Sequence, residues 1–335
     1  MRRAMVLVIA VVVVATACSF KPFDFNGDAK ADYVWRDQST GVWYEGSIPD
    51  APVRYVGAAS DIQAPADYDG DGRYDIAVVK TNGDWVKADG TVIKAAFPAP
   101  GTSTGPSVIV PVPGDYDGDK KAEPAWFRTS DGTWHFADGT VQPFGGGVTD
   151  PTTCCLLNND GRVPVPADYD GDGTTDLAVW NPLTGDWTIE HSTDGTTETA
   201  HPYDRMGPSS PFQLPVPGDY DGVGHAQPAI VDNKGWHVAG HPEPIATIDS
   251  GANFPAQADY DGDGKTDPST IGLDGRWRTN GRWDDVIILS DVSILRGVPV
   301  EFPVALLYNV ARITLVGRNL MDCATHPSTP DCAGY

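Results

Sequence analysis

Short apolar runs separated by turn-forming residues recur along most of the chain. In the period that starts near residue 62, IQAPADYD leads into an Asp-rich stretch and DIAVV leaves it as a continuous apolar run. The turn TNGD then precedes WVKA, and DG precedes TVIKAAF. Apolar runs of this length, bounded by Gly, Asn and Asp, are typical of β-strands joined by tight turns. The pattern predicts four strands per period, with no helix between them.

The Asp-rich stretch occurs in six related copies, here called loops 1 to 6, whose nine residues are positions 1 to 9. In order they read DFNGDAKAD from Asp24, DYDGDGRYD from Asp67, DYDGDKKAE from Asp115, DYDGDGTTD from Asp168, DYDGVGHAQ from Asp219 and DYDGDGKTD from Asp259. Their starts lie 43, 48, 53, 51 and 40 residues apart. This spacing is an internal repeat, and repeats of this length mark arrays of one structural unit.

A tryptophan keeps step with the loops. It follows each first Asp by 17 to 19 residues, and a glycine stands one or two residues before it. The six are Trp43, Trp85, Trp134, Trp187, Trp236 and Trp277. Four-stranded units at a period of about 45 residues are the signature of a β-propeller. We predict an all-β propeller of six, or alternatively seven, four-stranded blades with a short C-terminal helical or irregular cap.

The repeats divide the chain into three segments. Residues 1–17 are predicted as a signal peptide, 18–290 as the propeller, and 291–335 as a C-terminal cap or a degenerate seventh blade. In the last segment the apolar spacing that follows Pro303 fits a helix that begins at this proline. We therefore expect six blades and a helical cap in preference to seven blades.

Composition and charge limit the classes of partner that the chain is expected to bind. A hydrophobic fraction of 40% is enough for a core, and 37 Gly and 29 Pro fit a chain rich in turns. The formal charge of −23 and the pI near 4.4 argue against nucleic acid, which is bound by basic surfaces. Nearly half of the 46 acidic residues lie in the six loops. Carboxylates clustered in this way favour a divalent cation.

The spacing within a loop indicates which cation. Acidic residues at positions 1, 3, 5 and 9 and a carbonyl at position 7 can converge only if the backbone curls, which glycines at positions 4 and 6 allow. A cage of this many oxygens suits Ca²⁺ better than Mg²⁺, which keeps more of its waters. The loops differ from an EF-hand, because the last acidic position is 9 and not 12 and a strand such as DLAVW follows.

The run PVPADYDGDGTTDLAVW, with its downstream Gly-x-Trp, resembles the FG-GAP or VCBS-type repeat and is similar to the calcium-bearing blades of integrin α-chain propellers. The resemblance extends from residue 20 to about residue 290. It implies a calcium cage between the innermost strand of a blade and the next strand. It says almost nothing about the ligand of the propeller.

Carried over by position, the resemblance implies about five Ca²⁺ sites. The ligands would be Asp24, Asn26, Asp28 and Asp32; Asp67, Asp69, Asp71, the Arg73 carbonyl and Asp75; Asp115, Asp117, Asp119 and Glu123; Asp168, Asp170, Asp172 and Asp176; and Asp259, Asp261, Asp263 and Asp267. Loop 1, with Asn26 and Ala29, is expected to bind more weakly, and loop 3, with Lys120 at position 6, more loosely. Loop 5 has Val223 and Gln227 in place of two carboxylates and is predicted to be empty.

The N-terminus predicts export. Arg2 and Arg3 precede an apolar run and small residues, as in a secretory signal. The sequence ATAC resembles a lipobox, which would make Cys18 a lipidation site, and the alternative is ordinary cleavage after Ala17. In an oxidising compartment Cys154, Cys155, Cys323 and Cys332 are disulfide candidates with three possible pairings. Cys323–Cys332 is the simplest, and pairing of Cys154 or Cys155 with the tail is equally allowed.

No catalytic arrangement is legible in the sequence, so we expect a binding module more than an enzyme. Each repeated Trp, and the Tyr at position 2 of five loops, is expected to pack between blades, with a sugar-stacking platform as the alternative for Trp. We predict an exported, monomeric surface protein that binds an extracellular protein or glycan and contacts membrane only through a lipid at Cys18. A polysaccharide-active enzyme and a lectin are the alternatives. The insertion around Cys154 is the expected place of specificity.

Overall fold

A computed structural model describes most of the predicted propeller. The described residues are 23–36, 41–45, 52–55, 57–98, 109–146, 162–181, 184–201, 213–232, 234–247, 253–272, 276–279, 282–287 and 302–303. Within these ranges the chain forms 23 strands, and all regular structure is β. No helix in the described ranges is long and apolar enough to cross a membrane.

The strands form six antiparallel sheets. Blade 1 contains β23 (Phe302–Pro303), β1 (Val34–Arg36), β2 (Val42–Glu45) and β3 (Pro52–Tyr55). Blade 2 contains β4 (Ile62–Gln63), β5 (Ala77–Val79), β6 (Trp85–Lys87) and β7 (Val92–Lys94), and blade 3 contains β8 (Ile109–Pro111), β9 (Ala125–Arg128), β10 (Thr133–Phe136) and β11 (Val141–Pro143). Blade 4 contains β12 (Val163–Pro164), β13 (Leu177–Trp180), β14 (Trp187–Glu190) and β15 (Thr197–Ala200). Blade 5 contains β16 (Leu214–Pro215), β17 (Ala229–Asp232) and β18 (Gly235–Val238), and blade 6 contains β19 (Asn253–Pro255), β20 (Ser269–Gly272), β21 (Arg276–Thr279) and β22 (Arg282–Ile287).

Blades 2 to 6 are meanders in which consecutive strands pair as neighbours, and in blade 1 this holds for β1, β2 and β3. In blades 2 to 6 the loop joins the first strand to the second, and an isolated bridge between the residue before position 1 and position 9 closes its base. In blade 5, where the sheet has three strands, a bridge between Trp236 and Ala246 extends it. The arrangement confirms the prediction of an all-β propeller built from the sequence repeats.

Backbone hydrogen bonds connect the six loops in a closed ring. In every loop the N–H of position 8 donates to the carbonyl of position 1 in the preceding loop, at 2.6 to 2.7 Å. The pairs are Tyr74–Asp24, Ala122–Asp67, Thr175–Asp115, Ala226–Asp168, Thr266–Asp219 and, from loop 1 back to loop 6, Ala31–Asp259. Because loop 1 bonds directly to loop 6, the ring closes at six, without a seventh loop between them.

The C-terminal segment contributes a strand to the first blade. In β23, Phe302 pairs with Arg36 and Pro303 with Trp35 in antiparallel register, so β23 takes the place that the first strand has in the other blades. Pro303, where the predicted helix would begin, thus lies in a strand, while the residues that follow it are outside the described ranges, so the predicted cap stays a prediction. The ring is thereby joined by residues from both ends of the propeller.

The six repeated tryptophans form the centre of the blade packing. Five have no exposed surface and Trp236 is 2% exposed. Trp85 packs with Ala122 of loop 3, and Trp134 packs with Leu177 and Val179 of blade 4, so each of these clusters spans two blades. Packing between blades is confirmed, and burial leaves no indole face open for a sugar to stack on.

The tyrosine at position 2 anchors the strand that leads into each loop. Its hydroxyl donates to the carbonyl four residues earlier, at 2.6 to 2.7 Å, in all five loops that have it. Tyr68 and Tyr169 also meet the Trp of their own blade edge-on. Tyrosine therefore connects the loop to the Trp-centred core.

Several sequence predictions concern residues outside the described ranges. These are the signal peptide 1–17, the lipidation site Cys18, the insertion with Cys154 and Cys155, and the tail with Cys323 and Cys332. They remain predictions.

Candidate cation-binding loops

The first Asp of each loop holds the backbone curl. In loop 4, Asp168 accepts the N–H of Gly171 at 2.6 Å on one oxygen and that of Gly173 at 3.0 Å on the other. The carboxylate of Asp172 accepts Thr174 N–H at 2.7 Å, and that of Asp176 accepts Tyr169 N–H at 2.7 Å. Similar bonds occur in the other loops, so the spacing of acids and glycines builds one local structure six times.

Positions 4 and 6 have positive φ in every loop, which explains the glycines there. The two exceptions are Ala29, at φ 67°, and Lys120, at φ 71°. In this left-handed region a residue with a Cβ is destabilised by about 1 kcal/mol relative to glycine. Position 4 has a second reason to be glycine, because the side chain at position 7 of the next loop covers it: a Cβ on Gly70 would lie 3.0 Å from Lys121 Cγ. Backbone strain at Ala29 and Lys120 is a physical reason to expect weaker binding in loop 1 and looser binding in loop 3, which stay predictions.

Four loops bring carboxylate oxygens within 4.8 Å of one another in the described part of the chain. The groups are Asp67, Asp69 and Asp71; Asp115, Asp117, Asp119 and Glu123; Asp168, Asp170 and Asp172; and Asp259, Asp261 and Asp263. Position 9 joins the others only in loop 3, where it is the longer Glu. In loop 4, Asp176 instead groups with Asp170 and the imidazole of His191. Loop 1, with Asn26 at position 3, and loop 5 form no such group.

Loop 3 carries the strongest concentration of uncompensated negative charge. Burial, together with repulsion from Asp117, Asp115 and Asp119, raises the pKa of Glu123 from 4.5 to about 7. Burial also raises the pKa of Asp115, although it accepts two backbone N–H bonds. A carboxylate whose pKa is raised by like charges is stabilised by any cation that enters the group. Its donor set consists entirely of oxygens, which fits Ca²⁺.

Loop 4 receives neutral donors from the turn that follows β14. Thr193 Oγ1 donates to Asp170 at 2.5 Å and is 2.8 Å from Asp172, while Ser192 N–H donates to Asp176 at 2.7 Å. Burial raises the pKa of Asp168. His191 Nδ1 lies 3.7 Å from both Asp170 and Asp176 and has no hydrogen-bond partner among the described residues. These hydroxyl and imidazole groups were not identified from the sequence.

Loop 2 contains a side-chain cation. Lys87 Nζ lies 2.6 Å from Asp69 Oδ2 and 2.8 Å from Asp75 Oδ1. The hydrogen bond from this ammonium lowers the pKa of Asp69. At Asp75, burial outweighs the same partner and raises the pKa. Lys87 was also missed in the sequence, although it stands at a fixed place, two residues after the repeated Trp.

Loop 5 is closed by hydrogen bonds of its own side chains. Gln227 Oε1 accepts the N–H groups of Tyr220 and Asp221 at 3.1 Å, and its Nε2 donates to Asp221 Oδ2 at 2.7 Å. His241 Nε2 is 3.0 Å from Asp221 Oδ1. The amide thus takes both the accepting role of a position-9 carboxylate and the donating role of a bound cation. That loop 5 holds no metal stays a prediction.

The raised pKa of Glu123 predicts a pH dependence in metal-free protein. The folded chain keeps this proton up to about pH 7, whereas the unfolded chain loses it near 4.5. The stabilising contribution is therefore complete below pH 4.5 and is lost as the pH rises through about 7. Because the group is partly exposed, we expect a loss on the order of 1 kcal/mol. Urea unfolding in the presence of a chelator, at about pH 5 and about pH 8, measures it.

The matched variant is Glu123→Gln, which keeps the shape of the side chain and does not titrate. Its free energy of unfolding is expected to fall less between the two pH values than that of the wild type. Equal pH dependence in the two proteins would show that Glu123 does not retain its proton in the folded state.

The fold and the loops define a class: a six-bladed β-propeller with an acidic, hydrogen-bonded loop in each blade. A solved structure with a similar fold, aligned over 84% of this chain and 83% of its own, is a lectin from Agrocybe aegerita described as recognising non-reducing terminal N-acetylglucosamine. The TM-score is 0.51 and the sequence identity 16%, so the likeness concerns the fold alone. No family model matches the chain, and no curated protein matches it in sequence.

Proposed function

We propose that this chain is an exported β-propeller, stabilised by Ca²⁺, that works as a glycan-binding module at the cell surface. The observation that carries the ligand class is the similarity in fold to a lectin over five sixths of the chain. Ligand recognition in such folds is carried by loops set on a rigid ring, and the closed ring of loop hydrogen bonds provides that rigidity here. A glycan is thus the first ligand class to test, and an extracellular protein the second.

The proposed role of Ca²⁺ is structural. Loops 3, 4 and 6 offer groups of carboxylate oxygens, and each of these loops is hydrogen-bonded through position 1 or 8 to its neighbours. A cation held there would lower the repulsion among the acids and fix the loop that joins two strands. A cation enclosed by protein oxygens has no open coordination position, which favours a binding module over a metal-dependent enzyme.

The export and family assignments are part of the same proposal. The basic and apolar start of the chain and the ATAC sequence support a lipoprotein anchored through Cys18. The loops support membership of the FG-GAP or VCBS-type repeat proteins, since their nine positions adopt one repeated structure with the oxygens of positions 1, 3 and 5 grouped in loops 2, 3, 4 and 6.

A glycan array tests the proposed ligand class. The chain without residues 1–17 and with Cys18→Ser would be applied to immobilised glycans, including N-acetylglucosamine-terminated ones, with Ca²⁺ and with chelator. We expect saturable binding to a restricted group of glycans that the corresponding free sugar inhibits. Heat-denatured protein is the control. Binding no greater than that of the control across the array would reject glycan recognition and leave an extracellular protein as the ligand.

A further inference from the structure

We propose that Lys87 is a built-in cation that occupies the place of the metal ion in loop 2. The inference deepens the proposed calcium function, because it assigns metal to some loops and excludes it from one whose sequence matches the pattern completely. DYDGDGRYD has an acid at each of positions 1, 3, 5 and 9 and glycine at positions 4 and 6. By sequence alone, it is among the best calcium loops of the chain.

The contacts of Lys87 place its ammonium between two of the predicted ligands. Nζ is 2.6 Å from Asp69 at position 3 and 2.8 Å from Asp75 at position 9. The lysine side chain is only 15% exposed, so its charge is held against the loop. Both distances are those of strong charge-assisted hydrogen bonds. A divalent ion bound by Asp69 and Asp75 would have to displace this ammonium and would be repelled by it while it remained nearby.

Every blade has a residue at the position equivalent to Lys87, but the type of residue differs. Lys87 pairs with Ala77, ten residues after the first Asp of its loop, and the register of the other blades identifies the corresponding residues. They are Glu45, Phe136, Ile189, Val238 and Thr279. None of these five can supply a positive charge. In loop 3, where Phe136 replaces the lysine, the carboxylates remain uncompensated and the pKa of Glu123 is raised to about 7.

A second lysine adds to the positive field of loop 2. Lys121, at position 7 of loop 3, lies over Gly70 and lowers the pKa of Asp69 beside Lys87. Thr174 and His225 cover the equivalent glycines of loops 3 and 4, whereas a lysine, Lys30, covers that of loop 6, so it is Lys87 that distinguishes loop 2 from loop 6. Loop 2 is therefore surrounded by more fixed positive charge than loops 3 and 4.

Counting bound calcium in three proteins tests the inference. Equilibrium dialysis followed by elemental analysis gives the number of Ca²⁺ ions per chain for the wild type, Lys87→Met and the control Lys80→Met. Lys80 is an exposed lysine of the same blade. We expect Lys87→Met to bind one Ca²⁺ more than the wild type and Lys80→Met to bind the same number. An equal number for wild type and Lys87→Met would overturn the inference.

Two further variants test the wild-type lysine directly, should Lys87→Met not fold. Asp71→Asn and Asp119→Asn change the exposed position-5 acids of loops 2 and 3. We expect Asp119→Asn to lose one bound Ca²⁺ and Asp71→Asn to lose none; loss of one ion in Asp71→Asn would contradict the inference. A wild type that binds no Ca²⁺ would reject the proposed calcium function instead, and Lys87→Met against wild type, or Lys87→Gln if needed, would still decide the role of the lysine.

Discussion

Removal of Ca²⁺ is expected to lower the midpoint of thermal unfolding of the folded chain by roughly 10 to 20 °C. Three loops, 3, 4 and 6, group carboxylates without a lysine in contact with two of them. At a free ion concentration a hundredfold above Kd, each site would contribute about 2.7 kcal/mol. For a chain of this size, each kcal/mol lost from the free energy of unfolding lowers the midpoint by about 2 to 4 °C at most. The expected shift is therefore large compared with the effect of a typical surface substitution.

The measurement is a calorimetric scan of protein treated with chelator, repeated after addition of Ca²⁺ and, as the control, of Mg²⁺. Recovery of the midpoint with Ca²⁺ and only partial recovery with Mg²⁺ is the expected result, because Mg²⁺ prefers fewer protein ligands and more waters. A midpoint that does not change on chelation would refute the structural role of calcium, and full recovery with Mg²⁺ would reject the choice of ion.

Trp134→Ala is expected to lower the free energy of unfolding by about 3 to 5 kcal/mol. The side chain is completely buried, and it packs with strands of its own blade and with Leu177 and Val179 of the next. Its Nε1 donates to the carbonyl of Phe144 at 3.3 Å. Replacement by Ala would leave a cavity between two blades and an unpaired carbonyl, and the rigid ring limits how far the blades can close it.

Urea unfolding in buffer with Ca²⁺ measures the loss, with Val141→Ala as the control. Val141 lies in the same blade and is 52% exposed, so its truncation is expected to cost about 0.5 kcal/mol or less. If the two variants lost similar free energy, the repeated Trp would not be the centre of blade packing. Since Trp43, Trp85, Trp187 and Trp277 are equally buried, the same ranking is expected in the other blades.

The acidic loops were predictable in detail because their structure is local. Asp168, Gly171 and Gly173 are within six residues of one another, and the hydrogen bonds that join them depend only on that spacing. The same holds for blades 2, 3, 4 and 6, whose four strands are consecutive in the chain. Because the repeat occurs six times, the features that the copies share can be distinguished from the irregularities of any one copy. The fold class could therefore be recognised from the sequence.

The pairing of Phe302 and Pro303 with β1 was not predictable, for the opposite reason. A helix beginning at Pro303 agrees with local apolar spacing, but that spacing does not include the partner strand. β1 has an edge that no neighbouring segment in sequence covers, and Phe302 and Pro303 pair with it from about 270 residues away. A contact of that sequence separation leaves no periodic signal in the chain.

The charged groups that contact the loops could be predicted from the sequence only in part. Lys87 stands two residues after the repeated Trp, and comparison of this position across the six copies singles it out as the one basic residue. The sequence does not show where this side chain points. In the structure its ammonium contacts Asp69 and Asp75. The hydroxyl of Thr193 and the imidazole of His241 reach their loops in the same way.

The sequence alone was enough to predict the propeller class, the six loops, the burial of the six tryptophans and the candidate cation ligands, since all of these depend on spacing within one repeat. The tertiary structure decided that the ring closes at six, that β23 completes blade 1, and that the loops differ in charge compensation. These features depend on residues that are distant in sequence and adjacent in space. In loop 2, which has every acid in place, the fold brings a lysine of the same blade into contact with two of those acids.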